Sequence, residues 1–200
     1  MNRPPELVNF YQAARQAALA KSPPGSAAET ATERIFFALE TQASIAPGTP
    51  CDNLPAYSYL PDALDEAATH DVSIRNLSHA LKALAPFLSW QRRPNALSEG
   101  KQFYDGHANT TIVGPTGLEI RSDAVIGVSL VAPNVSYPKH NHPPEEIYVV
   151  MSQGDWYRDG KGWYAPGMGT VVYHRPWVTH AMRSREKPLL AVWCLWAGEG

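Results

Sequence analysis

The sequence predicts an α+β protein in which an N-terminal helical region packs on a C-terminal antiparallel β-sandwich or β-barrel. Before residue 100, apolar residues recur at helical spacing, as they do at Ile74, Leu77 and Leu81. After residue 100, short apolar runs alternate with turns that contain glycine or proline, a pattern typical of sandwiches and barrels. We therefore divide the chain into a helical region at 1–100 and a β-rich region at 103–200.

The helical region contains several segments with clear start or stop signals. Residues 7–20 are rich in alanine and are followed by a Pro-Pro-Gly break. Ser26 is a candidate N-cap for a second helix, which we expect to run towards residue 45 and to stop at the turn at 47–50. A short helix is expected before residue 70. Asp71 is placed to cap a longer helix, which we expect to continue to Trp90.

The β-rich region is punctuated by turn signals such as Asp159-Gly160 and Pro166-Gly167. Each apolar run between the turns is short enough to be a single strand. The predicted strands are 110–113, 118–121, 124–131, 147–151, 155–157, 162–164, 170–173, 179–183 and 189–196.

Composition excludes several classes of partner. The 200 residues carry a net charge of −2 and contain no basic cluster, so no nucleic-acid partner is expected. The N-terminus lacks the apolar core of a signal peptide, and no apolar run reaches the ~18 residues of a membrane span. Cys51 and Cys194 form no C-x-x-C pair and do not require an oxidising compartment. We expect a cytoplasmic monomer or homodimer with no membrane partner.

The run around residue 140 contains the most specific functional signal. His140 and His142 are two residues apart, which places them on one face if both lie on a strand. Glu146 follows after a Pro-Pro turn, and His180 lies far downstream. Two imidazoles, a carboxylate and a third imidazole are suitable ligands for a divalent metal. The neighbouring Glu145 remains an alternative to Glu146.

These residues resemble the two motifs of the cupin superfamily. His140-x-His142-x-x-x-Glu146, followed by Gly154, is similar to the first motif. Gly169 followed by Pro176-x-x-x-His180 is similar to the second. Trp177 stands where the second motif has glycine, and the motif is one residue shorter before its histidine. Glu146 and Gly154 are also one residue further apart than usual, but no ligand is lost. The resemblance covers residues 103–200 and implies a double-stranded β-helix barrel.

Within the cupins, the chain is similar to the bacterial dimethylsulfoniopropionate (DMSP) lyases of the DddQ type. The similarity lies in the helical region joined to one cupin barrel, in Tyr148 two residues after Glu146, and in Tyr137 before the first histidine. It implies β-elimination of DMSP to dimethyl sulfide and acrylate. Tyr148 would be the catalytic base and Tyr137 a second active-site tyrosine. Without the family pattern, tyrosines in strands are more often structural.

The implied chemistry assigns further expectations. One divalent ion, Zn, Fe, Mn, Ni or Co, would bind the substrate carboxylate and favour the Tyr148 phenolate, because a nearby cation lowers a phenol pKa. The substrate would be a zwitterion with a sulfonium group, which aromatic faces bind well. Trp193 and Trp196 should point to opposite faces of the last strand. The candidate tryptophans are Trp156, Trp163, Trp177, Trp193 and Trp196.

Two other functions remain open at this point. One is an iron-dependent cupin dioxygenase that acts on a small thiol or acid, which oxygen consumption would reveal. The other is a non-enzymatic cupin that binds a metal or ligand, since a fold does not fix a function. Saturable binding without turnover would favour the second alternative. The remaining histidines, His70, His79, His107 and His174, are expected to be surface or core residues.

Overall fold

The structure, a computed structural model, describes residues 2–48, 50 and 53–198. Cys51 and one residue of the predicted turn at 47–50 lie outside the described residues. The helices are α1 (Pro5–Lys21), α2 (Ala27–Ala38), α3 (Leu60–Ala67), α4 (Val72–Leu84) and α5 (Lys101–Gly106).

Both predicted N-caps are confirmed. Ser26 Oγ accepts a hydrogen bond from the backbone N–H of Glu29 at 3.2 Å. The Asp71 carboxylate accepts from the backbone N–H groups of Ser73 and Ile74. Each cap supplies an acceptor to an N–H group that has no partner inside the helix, which fixes where α2 and α4 begin.

Two helices end earlier than the sequence predicts. α2 stops at Ala38, and residues 44–45 instead form the first strand, because that segment pairs with the strand at 119–120. α4 stops at Leu84, where Pro86 follows and supplies no N–H to continue the ladder. The chain then makes a 3₁₀ turn at 85–87. Trp90, predicted to be the last helical residue, begins a strand instead.

The strands of the second half match most of the predicted segments. Residues 124–131, 162–164 and 189–196 form strands with the predicted bounds. The strand at 136–140 was not among those predicted, because Pro138 and the polar residues beside it do not form the apolar run that indicates a strand. The twelve strands of the described residues are β1 (Ser44–Ile45), β2 (Trp90–Gln91), β3 (His107–Val113), β4 (Glu119–Ile120), β5 (Ala124–Val131), β6 (Ser136–His140), β7 (Glu146–Val150), β8 (Asp155–Arg158), β9 (Gly162–Tyr164), β10 (Val171–His174), β11 (His180–Arg183) and β12 (Leu189–Trp196).

These strands form two sheets. The larger sheet has the order β1-β4-β3-β5-β12-β7-β10, with β2 added at the side of β3, and the smaller sheet has the order β6-β11-β8-β9. All pairs are antiparallel except β3 with β4. Among the described residues no strand pair joins the two sheets, so the predicted barrel is open, because closure requires hydrogen bonds at both edges.

The larger sheet has apolar contacts on both faces. One face, with Ile126, Val128 and Val192, packs against the helices in one continuous core. The other face, with Val150 and Ala191, packs against the smaller sheet. Burial on both faces explains why β5 and β12 are almost uninterrupted apolar runs rather than alternating ones.

None of the helices in residues 2–48, 50 and 53–198 combines the length and the apolarity that a membrane crossing requires.

Candidate metal centre and active site

Strand pairing brings the two histidine motifs together. β6 and β11 are neighbours in the smaller sheet, and His140 lies directly opposite His180 in their register. Their ring centroids are 4.2 Å apart. His142 lies in the loop after β6 rather than on the strand, which corrects the expectation that both histidines share one strand. Its ring nevertheless lies 5.2 Å from that of His180.

The backbone holds all three imidazoles in the same way. Nδ1 of His140, His142 and His180 lies 2.9–3.0 Å from the carbonyl oxygens of Pro138, Pro144 and Val178, respectively. A carbonyl oxygen only accepts, so each Nδ1 must carry the proton. In the neutral ring this leaves a lone pair on Nε2, which is the tautomer that a metal-binding histidine requires.

Glu146 lies among these rings and is almost fully buried. Its Oε2 is 3.1 Å from Nε2 of His142 and 3.1 Å from Nε2 of His180. Burial acts to raise the pKa of Glu146, but the protonated forms of the two histidines, whose Nε2–H groups face the carboxylate, overcome burial and lower the pKa to about 2. The carboxylate is therefore charged at neutral pH.

The neighbouring Glu145 points the other way. Its carboxylate contacts Arg34 of α2 and accepts a hydrogen bond from the hydroxyl of Tyr173 at 2.9 Å. The structure thus separates two adjacent carboxylates that the sequence left as alternatives, and it places Glu146 with the histidines.

The donor set fits a divalent metal. One nitrogen from each of His140, His142 and His180 lies within 4.8 Å of the others. Nε2 of His180 is buried and makes no well-formed hydrogen bond within the described part of the chain, despite its proximity to Glu146. Burial and the nearby His180 lower the pKa of His140 to about 4, so this ring is neutral at pH 7 and free to bind a cation. Three imidazoles and a carboxylate suit Zn, Fe, Mn, Ni or Co.

Both predicted tyrosines lie beside this cluster. Tyr148 of β7 shares the inner face of its strand with Glu146, and its ring is 6.1 Å from that of His180. Burial and the charge of Glu146 raise the pKa of Tyr148 well above its usual value. Tyr137 of β6 lies 5.2 Å from His140, ring to ring. Its hydroxyl oxygen accepts a hydrogen bond from Asn109 Nδ2 at 3.1 Å.

A cavity of about 320 Å³ opens between the two sheets next to the histidines. This volume is at the lower end of the range of ~300–1,000 Å³ typical of small-molecule sites. The cavity lining comes from both sheets and from the loop between β6 and β7. It consists of Asn109, Val125, Ser129, Tyr137, His140, His142, Pro144, Glu146, Tyr148, Trp193 and Leu195.

The structure separates the predicted tryptophans. Trp193 lines the cavity. Trp196 lies outside it and stacks on Arg34, so the two point to opposite faces of β12, as predicted. Trp163 and Trp177 are exposed, at 41% and 63%, and do not line the cavity. Trp156 is buried behind Tyr148, with ring centroids 4.8 Å apart.

Two neighbours hold Trp193 in place. Its Nε1 donates a hydrogen bond to Ser129 Oγ at 3.1 Å. Its ring lies over Gly127, its partner on β5, where an added Cβ would be only 2.2 Å from the indole. Neither residue is predicted from the sequence, because the role of each depends on the pairing of β5 with β12.

His174, expected to be a surface or core residue, is buried in the core directly beside the site. It lies opposite Glu146 on β10, and its ring stacks on His180 with a centroid distance of 4.2 Å. Burial and the charge of His180 lower the pKa of His174 to about 3. Its position six residues before His180 was the available signal, but spacing alone does not show which strand faces the site.

Comparison with known proteins identifies the family. A family model described as dimethylsulfoniopropionate lyase matches residues 27–191. The chain belongs to the DMSP lyase family. The match includes all three histidines, Glu146 and both tyrosines, and it extends well into the helical region.

Two curated members of the DMSP lyase family are similar in sequence. Dimethylsulfoniopropionate lyase DddQ of Ruegeria pomeroyi is 28% identical over 166 residues, which cover 82% of this chain and 80% of DddQ. The putative dimethylsulfoniopropionate lyase DddL of Cereibacter sphaeroides is 27% identical over 149 residues, which cover 72% of this chain and 60% of DddL.

Solved structures of the family share the fold. The crystal structure of DddQ from Ruegeria pomeroyi has a TM-score of 0.75 at 23% identity, covering 98% of this chain and 93% of that one. A structure from a study of the DMSP lyases RdDddP and RnDddQII gives a TM-score of 0.70 at 23% identity, with the same coverage. The helical region and the cupin sheets therefore form one arrangement that the family shares.

Proposed function

We propose that this protein is a metal-dependent DMSP lyase that cleaves DMSP to dimethyl sulfide and acrylate. The observation that carries the proposal is a cavity lined by His140, His142, Glu146, two tyrosines and Trp193, with His180 packed directly against His140. Family membership favours this function over a dioxygenase or a ligand-binding cupin.

His140, His142, Glu146 and His180 would hold the metal ion. When bound, a divalent cation acts as a Lewis acid towards the substrate carboxylate and stabilises negative charge that develops beside it. The histidines are suited to this role because their Nδ1 atoms are already engaged by carbonyl groups, which leaves Nε2 for the ion.

Tyr148 would be the base. The Tyr148 phenolate takes the proton from the carbon next to the substrate carboxylate. The electron pair of that C–H bond forms the carbon–carbon double bond, and the C–S bond breaks. Dimethyl sulfide leaves with the sulfur electron pair, acrylate remains, and the proton is on Tyr148 until solvent removes it. The negative charge of Glu146 raises the pKa of Tyr148. A divalent cation held by the histidines would offset that charge and favour the phenolate.

Tyr137 would assist rather than act as base. Since its oxygen accepts a hydrogen bond from Asn109, its own O–H is available to donate into the cavity that both residues line. A donor at this place suits the substrate carboxylate.

Trp193 would bind the sulfonium group. The sulfonium has no N–H or O–H donor, so an aromatic face is an effective partner for its charge, at ~0.5–2 kcal/mol. Trp193 is the tryptophan that lines the cavity, and Ser129 and Gly127 hold it there.

The test is a product assay on purified protein. DMSP is added to samples loaded separately with Mn, Fe, Co, Ni or Zn, and dimethyl sulfide and acrylate are measured together with metal content. We expect both products in equal amounts with at least one metal. Absence of product with all five would refute the proposal, and oxygen consumption would support a dioxygenase instead.

A further inference from the structure

The loop at 141–145 connects β6 to β7, carries His142 and leads directly into Glu146. Its inner side faces the cavity through His142 and Pro144. Its outer side contacts the helical region through Glu145, whose carboxylate pairs with Arg34 of α2. One short loop therefore connects the candidate metal ligands to the helical region.

Glu145 is held by more than this ion pair. The Tyr173 hydroxyl donates to Oε2 of Glu145 at 2.9 Å, and the backbone N–H of Trp196 contacts the Glu145 carbonyl oxygen at 3.4 Å. The Arg34 guanidinium lies over the Trp196 ring, 5.0 Å from its centroid. The contacts thus join α2, β10 and β12 to a single loop residue.

The other end of the loop is also fastened. The backbone N–H of Trp177 donates to the carbonyl oxygen of His142 at 2.9 Å. Trp177 adopts a φ of 63°, in the left-handed region that non-glycine residues rarely occupy. This end is tied to the backbone, and the Arg34–Glu145 pair is a side-chain contact that links the loop to α2.

Burial distinguishes this pair from an ordinary surface ion pair. The Glu145 side chain is 13% exposed and the Arg34 side chain 40% exposed. A carboxylate that is largely removed from water depends on its partners, whereas fully exposed pairs contribute little. Arg34 also stacks on an aromatic ring, a contact that a planar guanidinium makes and an ammonium does not reproduce.

We propose that Arg34 is a positioning residue for the metal centre, acting through Glu145 to hold the loop that presents His142 and Glu146. The inference rests on the proposed metal dependence. Arg34 does not line the cavity, so its effect is on the ligands and not on direct substrate contact. The helical region then has a defined task, which is to fix the geometry of ligands carried by the β-rich region.

The experiment measures metal binding separately from turnover. Zinc affinity is determined by chelator competition for wild type, Arg34→Ala, Arg34→Lys, Glu145→Gln and the Arg34→Ala/Glu145→Gln double variant. The absorption spectrum of each Co²⁺-loaded protein reports ligand geometry. Lys82→Ala is the matched control, because Lys82 also pairs with a carboxylate, Asp65, but both are exposed on the helical region.

We expect Arg34→Ala and Glu145→Gln each to weaken zinc binding ~10–100-fold and to change the Co²⁺ spectrum, as residues that orient metal ligands do. The double variant should be little weaker than either single variant, because both remove one interaction. Arg34→Lys should restore part of the affinity, and Lys82→Ala should match wild type.

Distinct outcomes separate the two proposals. Wild-type zinc affinity and an unchanged Co²⁺ spectrum in both Arg34→Ala and Glu145→Gln would overturn the role of Arg34 while leaving the lyase intact. A wild-type protein that binds metal but yields no product from DMSP would overturn the lyase and not the positioning role. If Arg34→Ala fails to fold, Glu145→Gln, which preserves side-chain shape, still decides the question.

Discussion

Two buried carboxylates of the larger sheet, Glu119 on β4 and Glu146 on β7, have opposite surroundings. Glu119 is completely paired. It accepts hydrogen bonds from Arg3 at 2.6 and 2.7 Å, from Arg121 at 3.3 Å, from the Tyr11 hydroxyl at 3.1 Å and from the Ala43 N–H at 2.9 Å. Glu146 has no arginine, lysine or backbone N–H partner in the described residues and lies among imidazoles instead.

Both carboxylates have a lowered pKa, for different reasons. At Glu119, burial acts to raise the pKa, and the hydrogen bond from Arg3, the Ala43 N–H and the charge of Arg3 together lower it. At Glu146, burial likewise acts to raise the pKa, and His142 and His180 lower it. Imidazoles can exchange a proton for a metal ion, and arginines cannot. The ionic network around Glu119 is complete and stabilises the fold. The ligand set around Glu146 is incomplete and is therefore available to bind a cation.

The largest effect on metal binding and turnover is expected when Glu146, the carboxylate among the three histidines, loses its charge. Glu146→Gln keeps the shape of the side chain but removes the anionic ligand, so metal affinity should fall at least ~100-fold and lyase turnover ~1,000-fold. Metal content and product formation are measured on the same sample. Glu145→Gln, one residue away, should lose less of both, and equal losses at the two positions would contradict the separation that the structure makes.

The second effect concerns the tyrosines beside the cluster. Tyr148→Phe removes the base, so kcat should fall ~10²-fold while metal content stays at the wild-type level. Tyr137→Phe loses one hydrogen bond to the substrate and should cost only ~10-fold. Tyr59→Phe, on the helical region, is the control. A larger loss for Tyr137→Phe than for Tyr148→Phe would exchange the two roles.

A substitution in the ionic network around Glu119 should lower the stability of the fold and leave catalysis unchanged. Glu119→Gln leaves Arg3 and Arg121 without their buried anion, and we expect the free energy of unfolding to fall by ~3 kcal/mol. Urea denaturation measures this change. Metal content and turnover at 25 °C should remain at wild-type levels, and a selective loss of activity would show that the two carboxylates are coupled.

The network also predicts how stability depends on pH. Because the pKa of Glu119 is lower in the folded state than its usual value, its contribution is present above the unfolded-state pKa of ~4.3 and is lost as the pH falls through the folded-state value. The stability difference between wild type and Glu119→Gln should therefore be constant near pH 6–7 and shrink in acid. Urea midpoints measured from pH 7 to pH 3 test this, and a difference that grows in acid would give the opposite sign.

The smallest effect on turnover is expected at Trp193, the aromatic side chain that lines the cavity. Trp193→Leu should raise the KM for DMSP ~5–10-fold, consistent with the loss of a partly desolvated cation–π contact of ~1 kcal/mol, and leave metal content unchanged. Trp163→Leu is the matched control, since Trp163 lies outside the cavity. Steady-state kinetics of both variants decide whether Trp193 contacts the sulfonium.

The sequence predicted those structural features that depend on contacts between residues close together in the chain. The N-caps Ser26 and Asp71 were predicted because each bonds to residues two or three positions away. The bounds of β12 were predicted because an apolar run that is buried on both faces is visible in composition alone. The end of α2 was not, because residues 44–45 form a strand only when β4 is beside them.

The sequence by itself determined the donor types of the site, since the histidines and the glutamate pair stand in a recognisable spacing. Only the tertiary structure decided that Glu146 turns inward and Glu145 turns to Arg34, that Trp193 and not Trp163 lines the cavity, and that His174 stacks on His180. The physical reason is that a side chain's surroundings depend on which strands and helices pack beside it. Those contacts join residues far apart in the chain, and no local pattern records them.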